Sequence, residues 1–313
     1  MTLNLMIINP CGIWQSADYR GTDPYSRKVV DDYLQKQIVL HCSDGHALIA
    51  FAGVGSVKVR YRTVSIAHWV LQILRGEDRT LDQSLILLRE RATEDLGPIV
   101  EGQHAHMFTV GAVLGGRLWA VQIRNFEATS SGEVLVKRRE FTTVAKQVFT
   151  GQAVYFAVPP NFVCADDIVR LTKTAKRRPR QPKEFRHLLA AVNRRAASHK
   201  PGARYVSPHC ITAYLTLQGA VEQEFHEVKA PPKPVIPLVL LRGIDTHYRY
   251  EFMAQSYAAA RGEGTVDNSR ETYDRLGHES VTPRNPLRRF MRFSSVSSMG
   301  AAALPSATTN TRL

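Results

Sequence analysis

Short apolar runs separated by turn formers fill the first part of the chain, and they predict strands rather than helices. Leu3–Asn9 and Ile13–Ala17 flank the turn Pro10-Cys11-Gly12, and a polar loop, Tyr19–Ser26, follows. Gln37–Cys42 and Ala47–Ala52 flank Ser43-Asp44-Gly45-His46, where Asp-Gly between apolar runs is a hairpin signal. Gly53 and Gly55 close the second of these strands at a tight passage of the backbone. The period then changes to 3.6. Ile66, Trp69, Val70, Ile73 and Leu74 form one apolar helical stripe, which Arg75-Gly76 ends. Thr80 and Gln83 make a capping box ahead of a second stripe of Leu81, Leu85, Leu88 and Ala92, with Gly97-Pro98 as its predicted stop.

Strand character returns over Met107–Ile123, where Gly115-Gly116 is the turn between Thr109–Leu114 and Arg117–Ile123. Both faces of these strands are apolar, which suits a sheet covered on both sides. Residues 128–140 read as an exposed hairpin or loop, and Gln147–Val158 stays open between strand and helix before Pro159-Pro160. Asp166–Lys176 and Lys183–Ala197 are predicted helices separated by Pro179 and Pro182, and His209–Leu215 is a strand ending at Gln218-Gly219. Beyond residue 220 the pattern weakens, with a proline-dense stretch over 230–237. The expected organisation is a domain over 1–219, a Pro-rich linker and short extension over 220–260, and a low-complexity tail over 261–313 too polar to fold.

At 44% hydrophobic, a chain of 313 residues can bury a sizeable core, which excludes wholesale disorder. The longest apolar run, near Val235–Leu241, is too short to span a bilayer. The N-terminus carries neither a basic segment nor a cleavage pattern, so a cytoplasmic protein with no membrane partner is expected. Cys11, Cys42, Cys164 and Cys210 share no close spacing, which argues against a zinc ribbon, a redox pair or a disulfide scaffold and reads as scattered core thiols. The formal charge of +13 is concentrated: Arg170–Arg204 carries twelve Lys and Arg against Glu184, a net of +11. Only Phe185 interleaves aromatically with these charges, so base stacking has little support. The preferred reading is a solvated connection followed by a helix with a cationic outer face. A nucleic-acid partner is the less favoured alternative.

The element order suits an α+β fold, in particular a four-layer α/β/β/α sandwich, although periodicity alone does not separate that from other α+β folds. Thr2-Leu3 through Gly12-Ile13-Trp14-Gln15-Ser16-Ala17-Asp18-Tyr19-Arg20 resembles the start of a mature proteasome-type β subunit of the N-terminal nucleophile (Ntn) hydrolases, a family that includes HslV-like peptidases. There an N-terminal Thr opens a strand, a Gly-bearing turn follows, and Asp-x-Arg ends the second strand. Asp18 lies sixteen residues after Thr2, as in that family. Lys36 stands in the place of its active-site lysine, after about two extra loop residues, and Ala52-Gly53-Val54-Gly55 resembles its substrate-binding turn. The resemblance is good over residues 2–125, loose over 126–219 and absent thereafter. Thr150-Gly151 is an imperfect match to a supporting Ser-Gly pair; Ser207 matches a supporting Ser, but Arg204 stands where an Asp is expected.

The resemblance implies a threonine-type hydrolase of peptides or small amides, with Thr2, Asp18 and Lys36 catalytic, Gly53 at the oxyanion, and Arg20, Thr150 and Ser207 supporting. The chemistry can be argued from the residues. Removal of Met1 would leave a hydroxyl and a free α-amine on one residue. The amine's ordinary pKa near ~7.7–8.0, against ~10.4 for lysine, makes it the better base at neutral pH by about two orders of magnitude. Lys36 would stabilise a developing alkoxide, and Asp18 would orient and charge-balance Lys36. No metal or nucleotide cofactor is needed, and a homo-oligomer is compatible with the family. The competing reading is a catalytically silent scaffold of the same fold. His104-x-His106 is a weaker metal-pair candidate and Cys11 a weaker nucleophile; Walker, GxGxxG, GxSxG and HExxH motifs are absent.

Overall fold

The computed structural model describes residues 2–22, 29–59, 62–128, 134–200, 202–229, 236–247 and 311–312. The chain divides into a compact unit of Met1–Thr246 with Ala303–Leu313 and a second, His247–Ala302, of which only His247 is among the described residues. The expected low-complexity tail therefore lies almost wholly outside the described residues.

The first unit is a mixed α+β structure dominated by sheets. Strands β1 (Asn4–Asn9) and β2 (Gly12–Asp18) form the predicted hairpin, with β3 (Gly21–Thr22) and β4 (Val29–Asp31) as a small separate ribbon. β5 (Gln37–His41) and β6 (Gly45–Ala52) form the Asp-Gly hairpin, and β7 (Ser56–Val59) and β8 (Arg62–Ser65) a second ribbon. Helices α1 (Ile66–Leu74) and α2 (Leu81–Arg91) follow, the latter with both bonds of the Thr80–Gln83 capping box. The predicted stop at Gly97-Pro98 is corrected. The chain widens into a π turn over Ala92–Leu96 and continues as α3 (Gly97–Val100), with Pro98 in the first turn of α3. Gly97 is helical and small for another reason: a Cβ there would lie 2.6 Å from the Arg139 carbonyl oxygen.

β9 (Met107–Leu114), β10 (Arg117–Ala128), β11 (Val134–Val148) and β12 (Gln152–Val158) come next, so the stretch left as an exposed hairpin or loop is largely a long strand. Helices α4 (Ala165–Ala175) and α5 (Lys183–Ser198) fall where predicted, and β13 (Cys210–Leu215) follows. The domain boundary expected at residue 219 is also corrected. β14 (Val221–His226) pairs with β13, while β15 (Leu238–Leu241) pairs in parallel with β5 and carries β16 (Ile244–Asp245). The six-stranded sheet runs β14-β13-β2-β1-β12-β17, with β17 being Thr311–Arg312. The seven-stranded sheet runs β11-β10-β9-β6-β5-β15-β16.

Strand alternation explains how these sheets bury both faces. Leu3, Leu5 and Ile7 pack with Leu171, Phe185, Leu189 and Val192 of α4 and α5. Met6 and Ile8 turn the other way, into a cluster with Ile13, Val39, Leu48 and Val113 that joins the two sheets. Gly111 marks how closely the sheets approach, since a Cβ there would meet Ile13 at 2.5 Å and the Met6 sulfur at 2.8 Å. Trp69, Val70 and Leu88 of α1 and α2 cover Ile49, Phe51 and Val110 on the seven-stranded sheet.

Candidate functional site

Asp18, the last residue of β2, has a wholly buried side chain and accepts four donors. The Leu3 N–H donates to Oδ1 at 2.9 Å and the Lys36 ammonium to the same oxygen at 3.2 Å. The Arg20 and Ser207 N–H groups donate to Oδ2 at 2.9 and 3.0 Å. Two of these donors come from near the chain start and one from the approach to β13, nearly 190 residues on, so one carboxylate ties three segments together.

Lys36 precedes β5 and is 1% exposed. Its ammonium also donates to the Arg20 carbonyl at 2.5 Å. Burial pushes its pKa below the ordinary lysine value; the Asp18 charge and hydrogen bond oppose that, the Arg20 charge adds to it, and Asp31 opposes it weakly. Thr2 is 3% exposed and immediately precedes the Leu3 N–H held by Asp18. The Asp18 N–H in turn donates to the Leu3 carbonyl at 3.3 Å, extending the β1–β2 register so that Thr2 stands opposite Tyr19. The structure thus brings Thr2, Asp18 and Lys36 to one end of the β1–β2 hairpin.

The supporting residues divide. Arg20 contributes its N–H to Asp18, while its guanidinium pairs with Asp32 at 2.7 Å and donates to the Ala203 carbonyl at 2.9 Å. Ser207 acts through its backbone; its hydroxyl accepts from the His209 N–H at 3.1 Å, and its carbonyl accepts from the Asn193 carboxamide at 2.8 Å. Thr150 is misplaced by the sequence reading. It sits exposed in the turn before β12, whose other end, Val158, pairs with Asn4, so it is on the order of 25 Å along the strand from the Thr2 end. Arg204, in the expected Asp position, is exposed and lies over the Tyr205 ring at 5.9 Å, clear of the carboxylate cluster.

Gly53 follows β6, whose Ala50 packs with Ala17 and Tyr19. Its φ of +127° lies in the region that favours glycine, and a Cβ would meet the Ala105 carbonyl oxygen and His106 Nδ1 at 2.7 Å. His106 is wholly buried; its Nδ1 accepts from the Val54 N–H at 3.1 Å, and burial lowers its pKa to about 3. The His104-x-His106 metal reading is corrected on this ground, because His106 is a structural acceptor for the Gly53 turn. Among the described residues no group of three His, Cys, Asp or Glu side chains is placed to hold a metal ion. The expectation of core thiols holds for Cys42 and Cys210, whereas Cys164 is exposed.

Sequence reasoning missed Tyr19 and Asn4. Both side chains are buried beside Thr2, and the Tyr19 hydroxyl and the Asn4 carboxamide make no hydrogen bond among the described residues. Burial raises the Tyr19 pKa, so its hydroxyl stays a neutral donor. Only the alternation Thr2, Asn4, Met6 on one face could have signalled Asn4.

The class defined so far is an α+β protein of two facing sheets with a buried Lys–carboxylate couple at its N-terminal strand. No family model and no curated protein matches the chain. Among solved structures it is similar to Anbu (ancestral beta-subunit) from Yersinia bercovieri, at 10% identity and a TM-score of 0.48 over 72% of this chain and 87% of that one. It is also similar to the Anbu complex of Pseudomonas aeruginosa, described as a helical assembly, at 10% identity and a TM-score of 0.48 over 86% of this chain and 99% of that one. A Gly-1 mutant of Anbu from Hyphomicrobium sp. strain MC1 gives 10% identity and a TM-score of 0.42 over 84% and 96%. These findings overturn the expected assignment to proteasome-type β subunits and HslV-like peptidases. That assignment rested on short motifs around Asp18, Lys36 and Gly53, which a local hairpin can carry without the rest of the chain. Among the described residues no helix is long and apolar enough to cross a membrane.

Proposed function

We propose that the chain is an amide-bond hydrolase built on a four-layer α/β/β/α Ntn-type sandwich, with Thr2 as nucleophile once Met1 is removed. The observation that carries this reading is the Asp18 Oδ1 atom, which accepts from both the Leu3 N–H and the Lys36 ammonium. That bifurcation fixes the peptide following Thr2 and a buried cation to one point. A buried ammonium beside a hydroxyl stabilises the alkoxide that forms as the Thr2 oxygen attacks a carbonyl. The Thr2 α-amine takes the hydroxyl proton and returns it to the leaving amine, and water then hydrolyses the Thr2 ester. The substrate is a peptide or small amide. The Gly53 turn, whose Val54 N–H is held by His106, supplies the Gly53 N–H for the oxyanion.

A second reading, a silent scaffold of the same fold, is favoured by the 3% exposure of Thr2. Intact mass and covalent labelling separate the two. The hydrolase reading expects a protein lighter by one Met that takes a single epoxyketone adduct at Thr2, lost in Thr2→Ala. Retention of Met1, or a processed protein that takes no label, supports the scaffold.

A further inference from the structure

The connection between α4 and α5 was expected to be a solvated linker, yet it is fastened to the sheet at both ends. The Asn9 carboxamide donates to the carbonyls of Ala175 and Arg177, each at 3.2 Å. At the other end the Trp14 indole N–H donates to the Pro182 carbonyl at 3.0 Å, and the Trp14 ring packs on Phe185 at 4.8 Å between centroids. From Ile168 to Lys183 there is no acidic residue. Arg177 is neutralised in part by Glu184 at 3.6 Å. Lys173, Arg178, Arg180 and Lys183 are exposed and form no ion pair among the described residues. Of the other acids near the two helices, Asp167 binds Arg195, Glu222 and Glu224 face Arg186, and Asp166 lies in the first turn of α4, at the end away from this connection.

We propose that this pinned basic turn is a docking surface for the phosphate backbone of duplex nucleic acid, read without regard to base sequence. Its charge is complementary to a polyphosphate. Its arginines offer forked donors that match phosphate oxygens. Because the turn is already ordered by Asn9 and Trp14, binding does not have to freeze a flexible loop. The aromatic residues of the segment argue for a duplex over a single strand or a bilayer. Phe185 is buried under the turn, and no exposed Phe, Tyr or Trp among the described residues flanks the four cations to stack on a base or anchor in lipid. The turn lies beside Asn9, at the end of β1 opposite Thr2, so the surface is independent of the proposed hydrolase site.

The test is fluorescence anisotropy of the full chain with two 20-base-pair DNA duplexes of unrelated sequence, between 50 and 200 mM salt. With about four phosphate contacts, affinity for both duplexes falls on the order of 100-fold across that range. The quadruple variant Lys173→Gln, Arg178→Gln, Arg180→Gln, Lys183→Gln loses most of the binding and most of the salt slope while keeping the wild-type melting temperature. A charge-matched control, Lys58→Gln, Arg117→Gln, Lys229→Gln and Arg242→Gln, four exposed cations outside the turn, retains most of the wild-type affinity. No binding at 50 mM salt overturns the proposal, as does equal loss in the control. Tighter binding to a single strand of the same length, or to vesicles containing anionic lipid, also overturns it and assigns the surface to that partner.

Discussion

Lys36 and Asp18 form an ion pair 3.2 Å long in which neither side chain is more than 1% exposed. Two charges removed from water in this way are stable only when their remaining hydrogen-bonding capacity is filled. Here Asp18 has three backbone N–H donors besides the ammonium, and Lys36 has the Arg20 carbonyl besides the carboxylate.

The pair should therefore respond unequally to truncation. Asp18→Ala leaves a buried ammonium and three backbone donors without their acceptor, and it is expected to cost about 3–5 kcal/mol of stability. Lys36→Met leaves the carboxylate with its three N–H donors and fills the volume, so its cost should be clearly smaller. Chemical denaturation of both variants measures the order; equal losses would show that the ammonium, not the backbone, is what Asp18 mainly serves.

Thr150 offers a converse case. It is exposed in a turn at the far end of β12, so Thr150→Ala should change stability by no more than about 0.5 kcal/mol and leave any Thr2 labelling rate unchanged. A slowed labelling rate with normal stability would put Thr150 back in the site.

Gly53→Ala should be costly in spite of the small change. The residue's φ is +127°, and the added Cβ would sit 2.7 Å from the Ala105 carbonyl oxygen and 2.8 Å from His106 Cα, backbone atoms that cannot swing aside. A loss on the order of 2 kcal/mol or more is expected from strain and overlap together, measured as a fall in the urea midpoint. A neutral Gly53→Ala would mean that the turn can adopt another conformation.

The success of the sequence reading tracks how local the determining physics is. The bounds of α1 and the capping box of α2 depend on neighbours within one helical turn, and both were legible. β14, with Glu222, Gln223 and Glu224 in six residues, shows no clean alternation, and β15 is a four-residue strand whose partner β5 lies about 200 residues earlier. The same holds at the site. Asp18 and Lys36 could be paired from short-range motifs, but Ser207 contributes a backbone N–H that no side-chain identity announces. Thr150 was misread because a Thr-Gly pair was matched to a motif before a helix, whereas the residues that follow it form β12.

His106 gives a pH-dependent test of the turn that holds Gly53. Its imidazole is wholly buried and stays neutral down to about pH 3 in the folded protein because burial disfavours the cation; the ordinary value is 6.5. Above pH 6.5 the folded and unfolded chains both carry a neutral imidazole, and this group contributes no pH dependence. As the pH falls below 6.5 the unfolded chain takes up a proton that the folded one refuses, so stability is lost progressively until about pH 3. Fully expressed, that gap corresponds to on the order of 4–5 kcal/mol. His106→Asn keeps an acceptor for the Val54 N–H but cannot titrate. Its stability should therefore fall less steeply than the wild type between pH 6.5 and 4, even if it starts lower at neutral pH. Parallel urea-denaturation series at several pH values would measure both slopes, and identical slopes would assign the acid sensitivity to carboxylates elsewhere in the fold.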